Sequence, residues 1–311
     1  MNTESETAAT TQGTRDDHRD RAHRGTLFVE DAEVLEVRHY PGEQFIMRLR
    51  SPKCAAHALP GSFAHVTCDE SLPMRRPLSI MRADATEGWI EFLYKIVGDG
   101  LRLLSRRRPG DRVSVLGPIG RPFHPDPVRP RALLVGGGVG IPPMVFLAEA
   151  LKADRAHDWE PLVLMGSEIP FPFELARATA DVPGIAADVC SVMPLLEDRG
   201  VPSRLASGSG FEGCYRGFVT ELAGEWLESL DESALAGVEM FACGPTPMLA
   251  AAARVARRYG IPCQVSLEEY MACAVGGCAG CAVRVETAEG PAMKRVCVDG
   301  PVFDANAVFP A

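Results

Sequence analysis

Short runs in which apolar and polar residues alternate fill the chain from about Thr26 to His124. Alternation with a period of two is typical of strands that bury one face and expose the other. No long run with helical spacing intervenes, so we predict an all-β unit, a small antiparallel barrel, over residues 26–124. Its predicted strands are Phe28–Val37, Gln44–Leu49, Phe63–Thr67, Trp89–Ile96 and Arg112–Leu116.

A different rhythm begins at about Pro125, where continuous apolar runs alternate with helical stretches. This alternation predicts a parallel α/β sheet. We place the α/β unit at residues 125–262. Its predicted strands and helices are Ala132–Val135, a helix ending at Leu151, Pro161–Met165, Val238–Ala242 and a helix over Met248–Tyr259.

Two segments flank these units. Residues 1–25 are polar and charged, lack the apolar run of a signal peptide and are expected to form a disordered tail. Residues 263–311 show little helical pattern and contain the most closely spaced cysteines. We therefore treat them as a separate C-terminal segment.

The charge balance and the lengths of the apolar runs argue against two classes of protein. The 311 residues include 32 Lys and Arg against 41 Asp and Glu, a net charge of −9, so the basic footprint of a nucleic-acid-binding protein is absent. Glycine and proline interrupt every apolar stretch before it reaches 18 residues, which argues against a membrane span. A chain rich in closely spaced thiols fits a reducing compartment, and we predict a cytoplasmic protein.

Four cysteines have the spacing C-x4-C-x2-C…C, which is typical of a plant-type [2Fe–2S] site: Cys273, Cys278, Cys281 and Cys297. Gly276, Gly277 and Gly280 lie between them, and glycine adopts the positive φ angles of a tight loop at least cost. A four-thiolate zinc site and free core cysteines are the alternatives. Zinc sites usually pair their ligands as two C-x2-C knuckles, and only one such pair is present.

A glycine-rich loop follows the first α/β strand and precedes a helix, the position in which a helix N-terminus binds a dinucleotide phosphate. Its spacing departs from G-x-G-x-x-G, but prolines in the first helical turn suit the context. The predicted NAD-binding residues here are Gly136, Gly137, Gly138, Val139 and Gly140.

Cys243, Gly244 and Pro245 follow the late strand, at the carboxyl edge where open α/β sheets bind ligands. We predict that Gly244 and Pro245 contact NAD and that Cys243 is a catalytic residue near the nicotinamide; a buried structural cysteine is the alternative. Glu168 follows the second strand, and no arginine lies between Met165 and Leu175. A carboxylate there would bind a ribose and repel a 2′-phosphate, which favours NAD, although a solvated loop glutamate is the simpler interpretation.

In the barrel segment, Arg76-Pro77-Leu78-Ser79 offers a guanidinium for a flavin phosphate and a hydroxyl for the isoalloxazine edge. Gly98-Asp99-Gly100 follows Tyr94-Lys95 and offers main-chain amides to a pyrophosphate. A surface turn and a plain β-turn explain these two motifs about as well.

The order of these motifs resembles the ferredoxin reductase-like superfamily. Ser266–Cys281 and Arg295–Phe303 resemble, within it, the electron-transfer subunits of NAD-dependent dihydroorotate dehydrogenases, and the likeness extends from about Thr26 to Phe303. The resemblance implies a fold with a flavin barrel followed by a nicotinamide domain. It also implies FAD, a [2Fe–2S] cluster, NAD and a partner, the FMN-containing dihydroorotate dehydrogenase catalytic subunit, in a heterotetramer of two of each that acts in pyrimidine biosynthesis.

The same resemblance implies a set of FAD-lining residues: Arg76, Pro77, Leu78, Ser79, Leu93, Tyr94, Lys95, Gly100 and Leu101. The chain departs from the family at two positions. The family usually has threonine where Leu101 stands, which removes one hydroxyl from the phosphate site, and glycine where Ala274 stands.

Redox chemistry independently favours a converter, that is, a protein that exchanges two-electron hydride transfer for one-electron transfer. Nicotinamide carries hydride, an iron–sulfur cluster passes single electrons, and a flavin does both, so a flavin must stand between them. No second constellation for an organic substrate appears, so the substrate is expected on another protein, docked at the cysteine loop and Gly300–Phe303. The alternatives are the same converter serving a hydrogenase, a glutamate synthase-like enzyme or a ferredoxin, and a zinc-stabilised interaction module.

Overall fold

The structure, a computed structural model, describes residues 26–311; the tail predicted over residues 1–25 lies outside them. The first unit is a closed six-stranded antiparallel barrel with the strand order β1-β2-β5-β4-β3-β6. Its strands are β1 (Phe28–Tyr40), β2 (Gln44–Arg50), β3 (Phe63–Val66), β4 (Arg76–Asp84), β5 (Trp89–Lys95) and β6 (Arg112–Ile119). Two short helices accompany them, α1 (Pro52–His57) and α2 (Gly98–Leu104).

The alternating pattern builds this barrel because every second residue of its strands enters one core. Val34, Leu49, Ile80 and Phe92 are all fully buried there. Two details differ from the sequence prediction. Strand β4 was not predicted, since its first four residues were interpreted only as a ligand motif, and Gly98–Gly100 opens helix α2 instead of forming a simple turn.

The second unit is a six-stranded sheet with the order β11-β8-β7-β12-β13-β16. Five strands are parallel, and β16 runs antiparallel to its neighbour. The sheet strands are β7 (Arg131–Gly137), β8 (Leu162–Gly166), β11 (Ser203–Ala206), β12 (Val238–Cys243), β13 (Cys263–Ser266) and β16 (Val302–Asp304). A two-stranded ribbon joins β9 (Ala176–Arg177) to β10 (Ser191–Val192). The helices are α3 (Ile141–Ala153), α4 (Pro194–Glu197), α5 (Val219–Glu228), α6 (Glu232–Ala236), α7 (Thr246–Tyr259) and α8 (Ala305–Val308).

The C-terminal segment is part of this sheet. Strands β13 and β16 lie beyond the boundary predicted at residue 262, yet they pair with each other and extend the sheet from β12. Between them the chain forms the cysteine loop and a hairpin of β14 (Ala282–Thr287) and β15 (Gly290–Arg295). The loop is therefore anchored at both ends by strands.

Helix α3 and strand β4 join the two units. Arg82 of β4 donates from Nε to both carboxylate oxygens of Glu149 in α3, at 3.1 and 3.0 Å. Arg199 pairs with the same carboxylate at 2.8 Å. Cys243, at the carboxyl end of β12, lies in the same core as Ile46 and Leu93 of the barrel. No helix in residues 26–311 is long and apolar enough to cross a membrane.

Candidate functional site

Arg76 and Gly100, predicted from separate motifs, meet at the start of α2. A Cβ on Gly100 would lie only 2.9–3.0 Å from the Arg76 guanidinium, so the arginine covers the glycine backbone. Nη1 of Arg76 donates to the carbonyl of Met74 at 2.7 Å, which fixes the guanidinium there. A cation beside a bare main chain is a suitable place for a phosphate.

The flavin-lining residues predicted from the family divide between the two faces of their strands. Leu78 and Tyr94 are buried in the barrel core, and Leu101 packs against it. Only the main chain of Leu78 and Tyr94 is therefore free to meet a ligand, while Leu101 is half-buried. The threonine hydroxyl that the family usually has at position 101 is replaced by a contact with the core. Pro77 and Ser79 alternate with Leu78 and so face outward.

Leu93 and Lys95 share the face of β5 opposite to Tyr94. Leu93 is buried with Ile46 and Met81 at the contact with the α/β unit, and Lys95 is half-buried at the strand end. The Tyr94 ring stacks on Phe45 with centroids 5.6 Å apart, and its buried hydroxyl has no hydrogen-bond partner among the described residues.

The glycine loop packs directly onto Cys243 and Gly244. Gly138–Gly140 forms a short 3-10 turn that leads into α3, and a Cβ on Gly140 would overlap the main chain of Cys243 and Gly244. A Cβ on Gly137 would likewise overlap the Met248 sulfur. These glycines bring the carboxyl ends of β7 and β12 together, where the sheet order changes direction and ligands bind in such folds.

Cys243 is fully buried, and burial, followed by the nearby charge of Glu268, raises its pKa well above the ordinary value. The thiol therefore stays protonated. It can pack against a ring or donate weakly, but it is not a nucleophile. The role predicted for Cys243 is thus limited to shaping the site. Ser266, which lies opposite Cys243 on β13, shapes the site with it.

Glu168 lies at the carboxyl end of β8 and faces the loop after β11. Its Oε1 accepts from the amide of Gly208 at 3.4 Å, and its carbonyl accepts from the Ser209 hydroxyl at 2.7 Å. Val139 and Pro245 are at least partly exposed beside the glycine loop. The predicted NAD residues therefore follow one edge of the sheet from β8 through β7 to β12.

Sequence reasoning missed an aromatic cavity whose lining includes Pro170, two residues after Glu168. It has a volume of about 440 Å³ and is lined mainly by Tyr40, Phe171, Phe173 and Phe211. These residues come from the β1–β2 hairpin and from the loops after β8 and β11. No local motif joins such distant positions, so only the fold reveals the cavity.

The four cysteines fall into two pairs. The Sγ atoms of Cys281 and Cys297 lie 3.4 Å apart, and the Cys278 amide approaches the Cys273 sulfur at 3.4 Å. Two thiolates on one tetrahedral metal with bonds near 2.3 Å are about 3.8 Å apart. No group of three or more metal-ligating side chains converges on a single ion within residues 26–311. The C-x4-C-x2-C…C spacing of these four thiols is the spacing of a two-iron cluster.

Main-chain amides converge on the first cysteine. Burial acts to raise the Cys273 pKa, but the amides of Val275, Cys278 and Gly277 together with the Cys278 thiol lower it to about 7. At the other pair, burial and the shared contact with Cys281 raise the Cys297 pKa to about 12. A bound metal reverses such an effect because it deprotonates a coordinating thiol outright.

The cysteine loop uses alanines where glycine was expected to supply positive φ. Gly276 has φ +82°, but Ala274 and Ala279 have φ +56° and +54°, whereas Gly277 and Gly280 do not take left-handed angles. Ala274 is buried and Ala279 is exposed. The loop thus carries backbone strain at two alanines.

Part of the predicted docking surface is buried. Pro301 and Val302 are buried, and a Cβ on Gly120 of the barrel would overlap Pro301. Gly300–Phe303 is therefore an anchor between the cysteine loop and the barrel. The exposed part of the loop is formed by Tyr270, which is 93% exposed, with Val275 and Cys278.

Comparison with known proteins agrees with this architecture. Residues 268–309 match the iron-sulfur cluster binding domain of dihydroorotate dehydrogenase B. The chain is similar to the dihydroorotate dehydrogenase B (NAD(+)) electron transfer subunit of Geobacillus thermodenitrificans, with 36% identity over 253 residues, 80% of this chain and 86% of the relative. The corresponding subunit of Desulforamulus reducens is 30% identical over 285 residues, 88% of this chain and 96% of the relative.

Among solved structures, the NADH-dependent reduced ferredoxin-NADP oxidoreductase is similar with a TM-score of 0.70 and 26% identity over 90% of both chains. The ferredoxin reductase in carbazole 1,9a-dioxygenase has a TM-score of 0.57 and 26% identity over 76% of this chain and 67% of that one. Fold and site together define a ferredoxin reductase-like oxidoreductase with a C-terminal iron–sulfur segment. Within that class, the chain belongs to the family of electron-transfer subunits of NAD(+)-dependent dihydroorotate dehydrogenase B.

We expect Ala279→Gly to stabilise the cysteine loop by about 1 kcal/mol, because glycine relieves the left-handed strain at an exposed position. Ala274→Gly should be close to neutral, since the loss of a buried methyl group, about 0.8 kcal/mol, offsets the same relief. The urea concentration at which half of the cluster is lost measures the change in loop stability for both variants. A lower midpoint for Ala279→Gly would contradict the assigned backbone strain.

Gly140→Ala should weaken NAD binding roughly 10- to 100-fold, because the new Cβ meets rigid main chain and displaces the glycine loop from β12. Calorimetric titration with NAD measures the change. Gly224→Ala in α5 is the matched control, since a Cβ there meets nothing within 4 Å. Equal affinities for the two variants would show that the loop does not form the NAD site.

Proposed function

We propose that the chain passes electrons between the FMN of a dihydroorotate dehydrogenase catalytic subunit and NAD+, through a [2Fe–2S] cluster and FAD. The observation that carries this proposal is that one chain joins a closed barrel, a six-stranded sheet and a segment, residues 268–309, that matches the iron-sulfur cluster binding domain of dihydroorotate dehydrogenase B. The cysteine loop is anchored to the barrel by Pro301 and Gly120, and the glycine loop packs on Cys243 and Gly244 at the end of β12.

Each site has a defined task in this function. Arg76 and Gly100 would hold the FAD phosphate, and Ser79 would meet the isoalloxazine edge. The glycine loop would hold the NAD pyrophosphate while Cys243 and Gly244 form the wall beside the nicotinamide. Bound FAD supplies the exchange between hydride and single electrons. The two cysteine pairs would each hold one iron, with Cys273–Cys278 nearer the exposed surface.

Strand pairing in the sheet supports the proposed domain limits. We propose that residues 26–124 bind FAD and that the nicotinamide unit comprises residues 125–262 with β13 and β16, which enclose the cluster segment. The aromatic cavity is on the β8–β11 side of the glycine loop, the side opposite to Cys243. An NAD molecule laid along this edge would place its adenine there.

The partner would dock on the exposed part of the cysteine loop. Tyr270 and Val275 are large apolar side chains exposed to solvent beside Cys278, and such residues are common at protein interfaces. The match of residues 268–309 to the dihydroorotate dehydrogenase B domain favours this partner over a hydrogenase, a glutamate synthase-like enzyme or a ferredoxin. The two-plus-two stoichiometry and the cytoplasmic location stay predictions.

The main experiment separates the two halves of the reaction. The isolated chain, with about two irons, should oxidise NADH with a dye but should not oxidise dihydroorotate until the FMN subunit is added. Cys278→Ser should lose iron and coupled turnover while the NADH–dye reaction persists. Cys278 is preferred to Cys281 because it is exposed, so the substitution spares the core.

Cys190→Ser is the control, a half-buried cysteine outside the loop that should retain iron and coupled turnover. Stoichiometric zinc in anaerobically prepared protein would overturn the cluster assignment. Coupled turnover at the wild-type rate in Cys278→Ser protein without iron would show that the cluster is not on the electron path.

NADH should be preferred over NADPH by roughly 10- to 100-fold in kcat/KM, because an unpaired 2′-phosphate near the Glu168 carboxylate costs on the order of 1–3 kcal/mol. Glu168→Gln should narrow that preference and leave kcat with NADH nearly unchanged. Steady-state kinetics with a dye acceptor measures both. Equal kcat/KM for the two nucleotides in the wild-type protein would refute the assignment of Glu168.

A further inference from the structure

His65 lies on the outer face of the barrel, beside two of the predicted FAD residues. It occupies β3 directly opposite Pro77 of β4, and Phe63 is opposite Ser79. Residues directly opposite on antiparallel strands share one face of the sheet. Phe63 packs into the core that contains Cys281 and Cys297, so this face is turned toward the cysteine segment.

The imidazole is buried and poorly paired. Only 1% of His65 is exposed, and neither ring nitrogen makes a well-formed hydrogen bond in the described part of the chain, although the main chain of Met271 and of Arg75 lies near enough to favour the protonated ring. Burial, followed by the positive charge of Arg75, lowers its pKa to about 4, so the ring is neutral near pH 7. Leaving a buried polar group poorly paired is costly, so such a group in a native protein calls for an explanation.

The ring is positioned between the flavin strand and the cysteine loop. It faces the main chain of Met271, two residues before Cys273, and the main chain of Arg75, directly before Arg76. Arg75 is held in place, since its guanidinium donates to the carbonyls of His65 at 3.2 Å and Ser114 at 2.8 Å. The segment that contains Met271, on the other side of the ring, has no regular secondary structure.

We propose that His65 is a positioning residue that holds the cysteine loop at a fixed distance from the FAD-binding strand, by donating a hydrogen bond to the Met271 main chain in the cofactor-loaded protein. The inference rests on the proposed function. Electron transfer between two centres slows steeply as their separation grows. A loop held by a side chain of the barrel keeps that separation short while the exposed part of the loop meets a partner.

The test uses the loaded chain alone and does not depend on the identity of the partner. His65→Phe keeps the ring but removes the donor, and His65→Gln keeps a donor. His124→Phe is the control, because that side chain is exposed. In His65→Phe, the rate at which NADH reduces the cluster should fall roughly tenfold. A chelator should also remove iron from the cluster roughly tenfold faster than in the wild type. The NADH–dye reaction should stay within about twofold of wild type. His65→Gln should restore most of both losses.

Hydrogen exchange over residues 267–273 gives a readout independent of activity. Exchange should be faster in His65→Phe than in wild-type or His124→Phe protein. Cluster reduction, iron retention and loop exchange that all match wild type in His65→Phe would overturn the proposal. A chain that reduces its cluster with NADH but never couples to dihydroorotate would instead contradict the proposed partner and leave the His65 result interpretable.

Discussion

The contact between Gly120 and Pro301 decides where the cysteine loop lies. Glycine is required because any side chain would overlap the proline ring, and the Arg121 amide donates to the Gly300 carbonyl at 2.6 Å beside it. Leu267 donates to the Pro301 carbonyl at 2.9 Å, which ties the start of the loop to its end. Barrel, sheet and loop thus meet at one point, and the relative placement of the three proposed cofactor sites depends on it.

On the opposite side of the barrel, ion pairs hold the barrel against helix α3. Glu91 is almost fully buried and accepts from Arg38 at 2.7 Å and Arg48 at 3.0 Å, while Arg82 bridges toward Glu149 of α3. Removing one partner from such a buried group would leave an uncompensated charge, so the network resists separation of the two units. Two contacts, one steric and one ionic, therefore hold the barrel against the α/β unit.

Local pattern in the sequence was enough to predict the order of the units and most strands, because alternation and apolar runs report burial directly. It was not enough for β4, whose first residues resemble a ligand motif, or for the boundary at residue 262. Strands β13 and β16 are only four and three residues long and are separated by the cysteine loop, so nothing local shows that they pair.

The same limit applies to the sites. The cysteine spacing predicts that four thiols form one site, since one loop contains three of them, and this stays a prediction. It did not predict that Ala274 and Ala279 take left-handed angles, that Leu78 and Tyr94 point into the barrel, or that Phe171 and Phe211 share a cavity with Tyr40. Each of these depends on residues far apart in the chain.

Unpaired buried polar groups show where the fold is not self-sufficient. Those of Arg38, Arg48 and Glu91 belong to groups that already make other ionic contacts in the network, and that of Arg204 belongs to a guanidinium that donates to the carbonyls of Ser203 and Ala180. His65 and Tyr94 have no such compensation, and both lie on strands next to β4, which begins with the proposed flavin motif. Native proteins rarely leave such groups unpaired without a function. The Tyr94 hydroxyl points into the barrel core, whereas His65 lies on the outer face opposite Pro77, so of the two only His65 is placed to contact a neighbouring loop.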